Sequence, residues 1–227
     1  MDSIKPYSYL FINILSVIGP LLLSFDKKVN YSTHWKYIFP SILVTAIYFI
    51  VWDFVFVDKN VWSFNPDYIS GIKIYNLPIE ECLFFFCIPF SCMFIYVIFR
   101  THLKEDFFKS SFAIYILVSI LLVVTALLNI NRLYTSITFL SSVFFLAIHF
   151  FFFKSKWLGV FFVSYIIHLI PFFVVNGILT SVPIVLYNND QNLGIRLFTI
   201  PIEDTTYSLL LLIMNVTIYE FLIKSKK

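Results

Sequence analysis

The sequence predicts an all-α integral membrane protein of about seven transmembrane helices, built as two parallel three-helix repeats joined by a linking helix. Three observations predict it. The chain is 227 residues long, 60% hydrophobic and only 13% charged, with a mean hydropathy of +0.89; soluble domains carry about 25% charge. That composition cannot coat a globule in water, so the bilayer is part of its solvent. Apolar runs near the roughly 20 residues a spanning helix needs follow one another along the chain. Finally, "GIKIYNLPIEE" from Gly71 returns as "GIRLFTIPIED" from Gly194, an offset of 123 residues.

In order, the runs fall at 7–25, 37–57, 78–99, 111–129, 133–153, 157–176 and 201–223. The first, Tyr7–Phe25, is long for a signal segment and lacks a small-residue cleavage site at its end, so it reads as a retained span. Connections at 26–36, 100–110 and 154–156 are short and basic. Those at 58–77 and 177–200 are longer, rich in Asn, Pro and aromatics, and each leads into an acidic doublet. Seven spans put the termini on opposite sides. The N-terminal side carries Lys5, Lys59, Lys73, Arg132 and Arg196; the remaining Lys and Arg, Lys104, Lys109, Lys154, Lys224, Lys226 and Lys227 among them, fall on the other. The richer side is expected to be cytoplasmic, which places the N-terminus outside a cell membrane and the C-terminus within.

The offset of 123 carries Pro78 onto Pro201, Glu80 onto Glu203, Glu81 onto Asp204, Asn65 onto Asn188 and Asp53 onto Asn176. Internal duplication explains this. Matched spans lie four apart, so the halves share one orientation, related by a pseudo-two-fold axis along the membrane normal. The expected units are 1–110, a linking helix at 111–129, and 130–227. Both doublets then sit at one depth and can face one cavity.

Other chemistries find little support. No glycine-rich phosphate or dinucleotide loop is present, no basic block suggests nucleic acid, and Cys82, Cys87 and Cys92 lack the spacing of a metal site or redox pair. The expectation is therefore no metal and no cofactor. The doublets stand out. Proline at a helix start and one acid in the first turn suit the helix dipole, but that accounts for one acid per site better than for two. Adjacent acids repel, and in an apolar setting one of them tends to keep its proton, though the helix N-terminus opposes this. If burial prevails, each doublet supplies a carboxylic acid beside a carboxylate, an acid–base pair in an oily setting.

Ionisable groups within spans usually face the bundle interior. Asp53, next to Trp52, is one; Asn176 holds the matched position, and His168 shares its helix face two turns earlier. His149 and Glu220 rank lower, Glu220 being expected near Lys224. Of the 29 Phe, 14 Tyr and 4 Trp, most should face lipid, pack the core or form interfacial belts. Trp62, Phe64 and Tyr68 in the long first loop could roof a cavity, and aromatic faces can stabilise a cation. Duplicated halves with intramembrane acids would also suit a proton-coupled transporter.

Taken together, "WDFVFVDKNVWSFNPDYISGIKIYNLPIEECLFF" and "NGILTSVPIVLYNNDQNLGIRLFTIPIEDTTYSLLLLIMNVTIYE" resemble the lycopene cyclase domain family. These are small membrane carotenoid cyclases with a P-x-E-[E/D] signature in each half, and the sequence is similar to their fused type. The resemblance implies a redox-neutral, proton-initiated closure of the ends of lycopene to β-ionone rings, by way of γ-carotene to β-carotene; another carotenoid or ring type is the alternative within the family. It implies the membrane and a lipid-soluble polyene as partners, with other carotenoid-biosynthesis enzymes as further candidates. It implies that Glu80, Glu81, Glu203 and Asp204 include the acid and the base, with Asp53 as relay or orienting group. Trp52, Trp62, Asn176, Tyr207 and His168 are the candidate substrate contacts.

Overall fold

The computed structural model describes residues 4–103, 111–153 and 155–225, and for 111–114 the backbone alone. After a short 3-10 turn, α1 covers Ser8–Leu23 and α2 covers Trp35–Asp58. The first long loop holds β1 (Trp62–Phe64), β2 (Lys73–Ile74) and β3 (Leu77–Pro78), and runs into α3 (Ile79–His102). Next come α4 (Ser111–Leu128) and α5 (Leu133–Ala147), the latter extended by a π-helical stretch, Ile148–Phe153. Helix α6 (Leu158–Ser181) leads to β4 (Val185–Tyr187), β5 (Arg196–Leu197) and β6 (Ile200–Pro201), and the chain ends in α7 (Ile202–Lys224).

Among the described residues, six helices are long and apolar enough to cross a membrane; the apolar stretch of α4, Tyr115–Leu128, is shorter. The burial pattern is that of a protein in lipid. Leu22, Ile47 and Ile170 are exposed, whereas Asp53, Glu80 and Glu203 are buried. Sequence placed the end of the sixth span at 176, but α6 continues to Ser181. Its polar residues are satisfied within the helix: the Asn176 amide donates to the Phe172 carbonyl and the Thr180 hydroxyl to that of Asn176, so neither breaks it. Pro78 was expected inside the first turn of α3. It stands just before it instead, extended at φ −64° and ψ 147°.

Helices α2, α3 and α7 pack on one another, α1 and α6 lie against α3, and α5 lies against α7 with α4 outside it. The two long loops are tied together. Strands β1 and β4 pair antiparallel, Trp62 opposite Tyr187 and Phe64 opposite Val185. Strands β2 and β3 form a small hairpin in the first loop, as β5 and β6 do in the second. Each hairpin is approached through a glycine in the left-handed region, Gly71 at φ +85° and Gly194 at φ +73°.

At the other end of the bundle, Glu220 is 1% exposed and is paired with Arg100. The Tyr96 hydroxyl donates to the same carboxylate at 2.8 Å. A buried carboxylate needs partners at its own depth, and α3 supplies two. The linker and terminal lysines counted for orientation, Lys104, Lys109, Lys154, Lys226 and Lys227, lie outside the described residues.

Candidate active site

The two doublets open α3 and α7, and each hairpin sets its helix start. The Ile79 N–H bonds back to the Ile72 carbonyl at 2.9 Å, and the Ile202 N–H to that of Ile195 at 3.0 Å. Within each doublet the acids then diverge, because adjacent helical residues point about 100° apart. Glu80 turns toward its loop, where it accepts the Ser70 N–H at 2.7 Å. Glu203 likewise accepts the Leu193 N–H at 2.7 Å, and also the Thr135 hydroxyl at 2.6 Å. Both side chains are fully buried, and in each the second carboxylate oxygen has no hydrogen-bond partner among the described residues.

Glu81 and Asp204 point the other way, into the bundle. Glu81 accepts the Tyr9 hydroxyl at 2.5 Å. Asp204 accepts Tyr134 at 2.6 Å and Tyr187 at 2.8 Å, one phenol to each oxygen. Burial, and then the Asp204 carboxylate beside it, pushes the Tyr187 phenol well above its ordinary value, so Tyr187 remains a donor. From α2 comes Asp53, 1% exposed, which accepts Tyr207 at 2.9 Å.

These three carboxyls line one cavity of about 240 Å³. Its described lining is otherwise mainly apolar and aromatic and holds no Lys or Arg. Trp62, Tyr134, Tyr187 and Tyr207 form a continuous aromatic wall, with centroids 5.1–6.1 Å apart. Such a space favours a cation: three acids, several π faces and no competing positive side chain.

A sequence model of the lycopene cyclase family matches residues 6–99 and 131–222. The chain belongs to the lycopene cyclase family. Among curated proteins, a bifunctional lycopene cyclase/phytoene synthase of Podospora anserina is 25% identical over 107 residues, 46% of this chain and 18% of that protein. One of Aspergillus oryzae is 27% identical over 64 residues, 28% of this chain and 11% of that protein. These alignments span less than a fifth of the length of the relatives. No solved structure gives a significant match.

In this lycopene cyclase family member the structure brings Asp53, Glu81, Asp204, Trp62, Asn176, Tyr207 and His168 to the cavity. Glu80 and Glu203 stand one helix face away, against their loops. Trp52 sits behind Tyr207, centroids 5.8 Å apart. Phe64 reaches the cavity, while Tyr68 lies under the Lys5 ammonium at 4.8 Å. His168 contacts the Ser208 hydroxyl at 2.9 Å and Cys92 Sγ at 3.1 Å.

Sequence reasoning missed Tyr9, Tyr134 and Tyr187, having treated such residues as belts or packing. A signal existed. Tyr9 and Tyr134 each open the span two before a signature helix, at nearly the offset that relates the doublets. Tyr187 falls on Phe64 under the offset itself.

Proposed function

We propose that the chain cyclises the ends of lycopene to β-ionone rings by proton transfer alone. One observation carries this reading: Asp53, Glu81 and Asp204, contributed by three helices, face a single aromatic cavity whose described lining holds no Lys or Arg. The Asp53–Glu81 pair gives a proton to the terminal double bond of the polyene, leaving a tertiary cation. The neighbouring double bond attacks that cation and closes a six-membered ring. Asp204, which accepts two phenol hydrogen bonds, faces the new cation and removes a proton to form the ring alkene. One proton enters and one leaves, so the reaction is an isomerisation, and the proton returns across the cavity to the first pair. General acid–base catalysis needs groups positioned in this way. The apolar wall keeps out water, which would otherwise trap the cation as an alcohol.

In this reading Glu80 and Glu203 hold the loops that roof the cavity, and Trp62, Tyr207, Asn176 and His168 contact the substrate, with Trp52 buttressing Tyr207. Matched bonds at Glu80 and Glu203, and at Asn65 and Asn188, whose side chains accept the N–H groups of Asp67 and Asp190, support two parallel three-helix repeats with α4 as the link. The charge count supports an outer position for the carboxylates. The test is expression in bacteria that accumulate lycopene, followed by pigment analysis. Mono- and bicyclic β-ring products are expected; unchanged lycopene from protein that has inserted refutes the proposal.

A further inference from the structure

The cavity continues past the carboxylates toward the middle of the bundle. There its wall is built by Ser16 and Pro20 of α1, Ser91 of α3, and Pro171 and Val175 of α6. Three prolines inside helices, Pro20, Pro89 and Pro171, all lie on this wall, whereas Pro40 of α2 does not. A proline within a helix removes an N–H, crowds the carbonyl four residues earlier and bends the axis. In α1 the carbonyl so released, that of Ser16, accepts the Ser91 hydroxyl at 2.7 Å. That bond fastens α1 to α3. Helix α1 packs closely on α3 but scarcely touches α6. In the resulting gap Pro171 is exposed while also lining the cavity, so at this residue the cavity wall is also the outer surface. Ile18, Ile170 and Val174, all exposed and apolar, flank the opening on α1 and α6.

Depth and size agree with this picture. Pro89 follows Glu81 by about 12 Å along α3, and α3 itself is about 36 Å long, at 1.5 Å per residue. The opening therefore faces the hydrocarbon core. A volume near 240 Å³ falls below the roughly 300–1,000 Å³ of pockets that enclose a whole drug-sized ligand. The space suits one end of a long molecule whose remainder stays outside.

We infer that the gap between α1 and α6 is a lateral portal through which a long apolar polyene passes from the bilayer, its reacting end at Glu81 and Asp204 and its tail left among the lipid chains. This rests on the cyclase reading above. It also means that the second end of a molecule reacts only after the first has withdrawn.

The test uses the full chain in membranes with Ile18→Trp and Val174→Trp, exposed residues beside the gap that do not line the cavity, and with Ile47→Trp on the lipid face of α2 as control. Two substrates are compared: lycopene, and a short acyclic polyene with the same end group that the cavity can enclose. Both portal variants are expected to slow lycopene by about tenfold or more, a barrier of about 1.4 kcal/mol, and to slow the short polyene, which clears the gap once inside, by clearly less. Ile47→Trp should leave both rates unchanged. Undiminished lycopene turnover in both portal variants overturns the inference, as does equal slowing of the two substrates. An unsubstituted protein inert toward both would overturn the cyclase reading and the portal with it.

Discussion

Replacing Asp53 by Asn separates proton donation from architecture at a single atom. The matched position in the second half is already an amide, Asn176, so the bundle accommodates one at this depth. The Tyr207 hydroxyl, 2.9 Å from Asp53 Oδ1, can donate equally well to the amide oxygen. Folding should therefore change by no more than about 1 kcal/mol. What is lost is the carboxyl proposed to donate the proton together with Glu81. Positioned general acids contribute roughly 10²–10⁴ in rate, or about 3–5 kcal/mol at 1.36 kcal/mol per tenfold. The assay follows loss of lycopene and appearance of ring products in isolated membranes, normalised to the amount of inserted protein. Tyr207→Phe serves as comparison. It removes one hydrogen bond to the carboxyl, worth about 1.5–3 kcal/mol, and should cost less than Asp53→Asn. If Asp53→Asn retained a rate within about threefold of the unsubstituted protein, a change of under 1 kcal/mol, Asp53 would have no part in the proton transfer.

Glu81→Gln should reduce turnover far more than Glu80→Gln, because only Glu81 of that doublet faces the cavity; pigment yields at matched expression check the order. Tyr134→Phe and Tyr187→Phe each withdraw one donor from Asp204 and should each slow turnover by roughly 10-fold or more, from about 1.5–3 kcal/mol per charged hydrogen bond. The combined variant measured by the same rate assay should be worse than either. Arg100→Met strands the buried Glu220 carboxylate and should cost about 3–5 kcal/mol of stability, read as earlier thermal unfolding in detergent. Adding Glu220→Gln should recover most of the loss.

Much of the architecture was written in hydropathy, because a bilayer demands long apolar runs and leaves little freedom in where they end. The end of the sixth span was not legible, since Asn176 and Thr180 look like breakers until their bonds to the helix backbone are seen. The acidic doublets were legible as a pair of pairs, but not the division within each. Which acid turns inward depends on helix phase at a start set by a hairpin, and two-residue strands leave no periodicity to read. The phenols of Tyr9, Tyr134 and Tyr187 were hidden for another reason. Fourteen tyrosines in a membrane protein have an ordinary explanation at the interface, and only tertiary packing distinguishes these three from the rest.

The ribbon formed by β1 and β4 also constrains how the chain can change. Trp62 and Tyr187 face each other across it, and both line the cavity. Adding one residue to either strand reverses the faces of every side chain beyond it, turning one of these rings toward water. Insertions and deletions in segments more than a hundred residues apart are thus coupled, and a lengthening of one survives only if the other compensates or the extra residue is looped out before the first paired position.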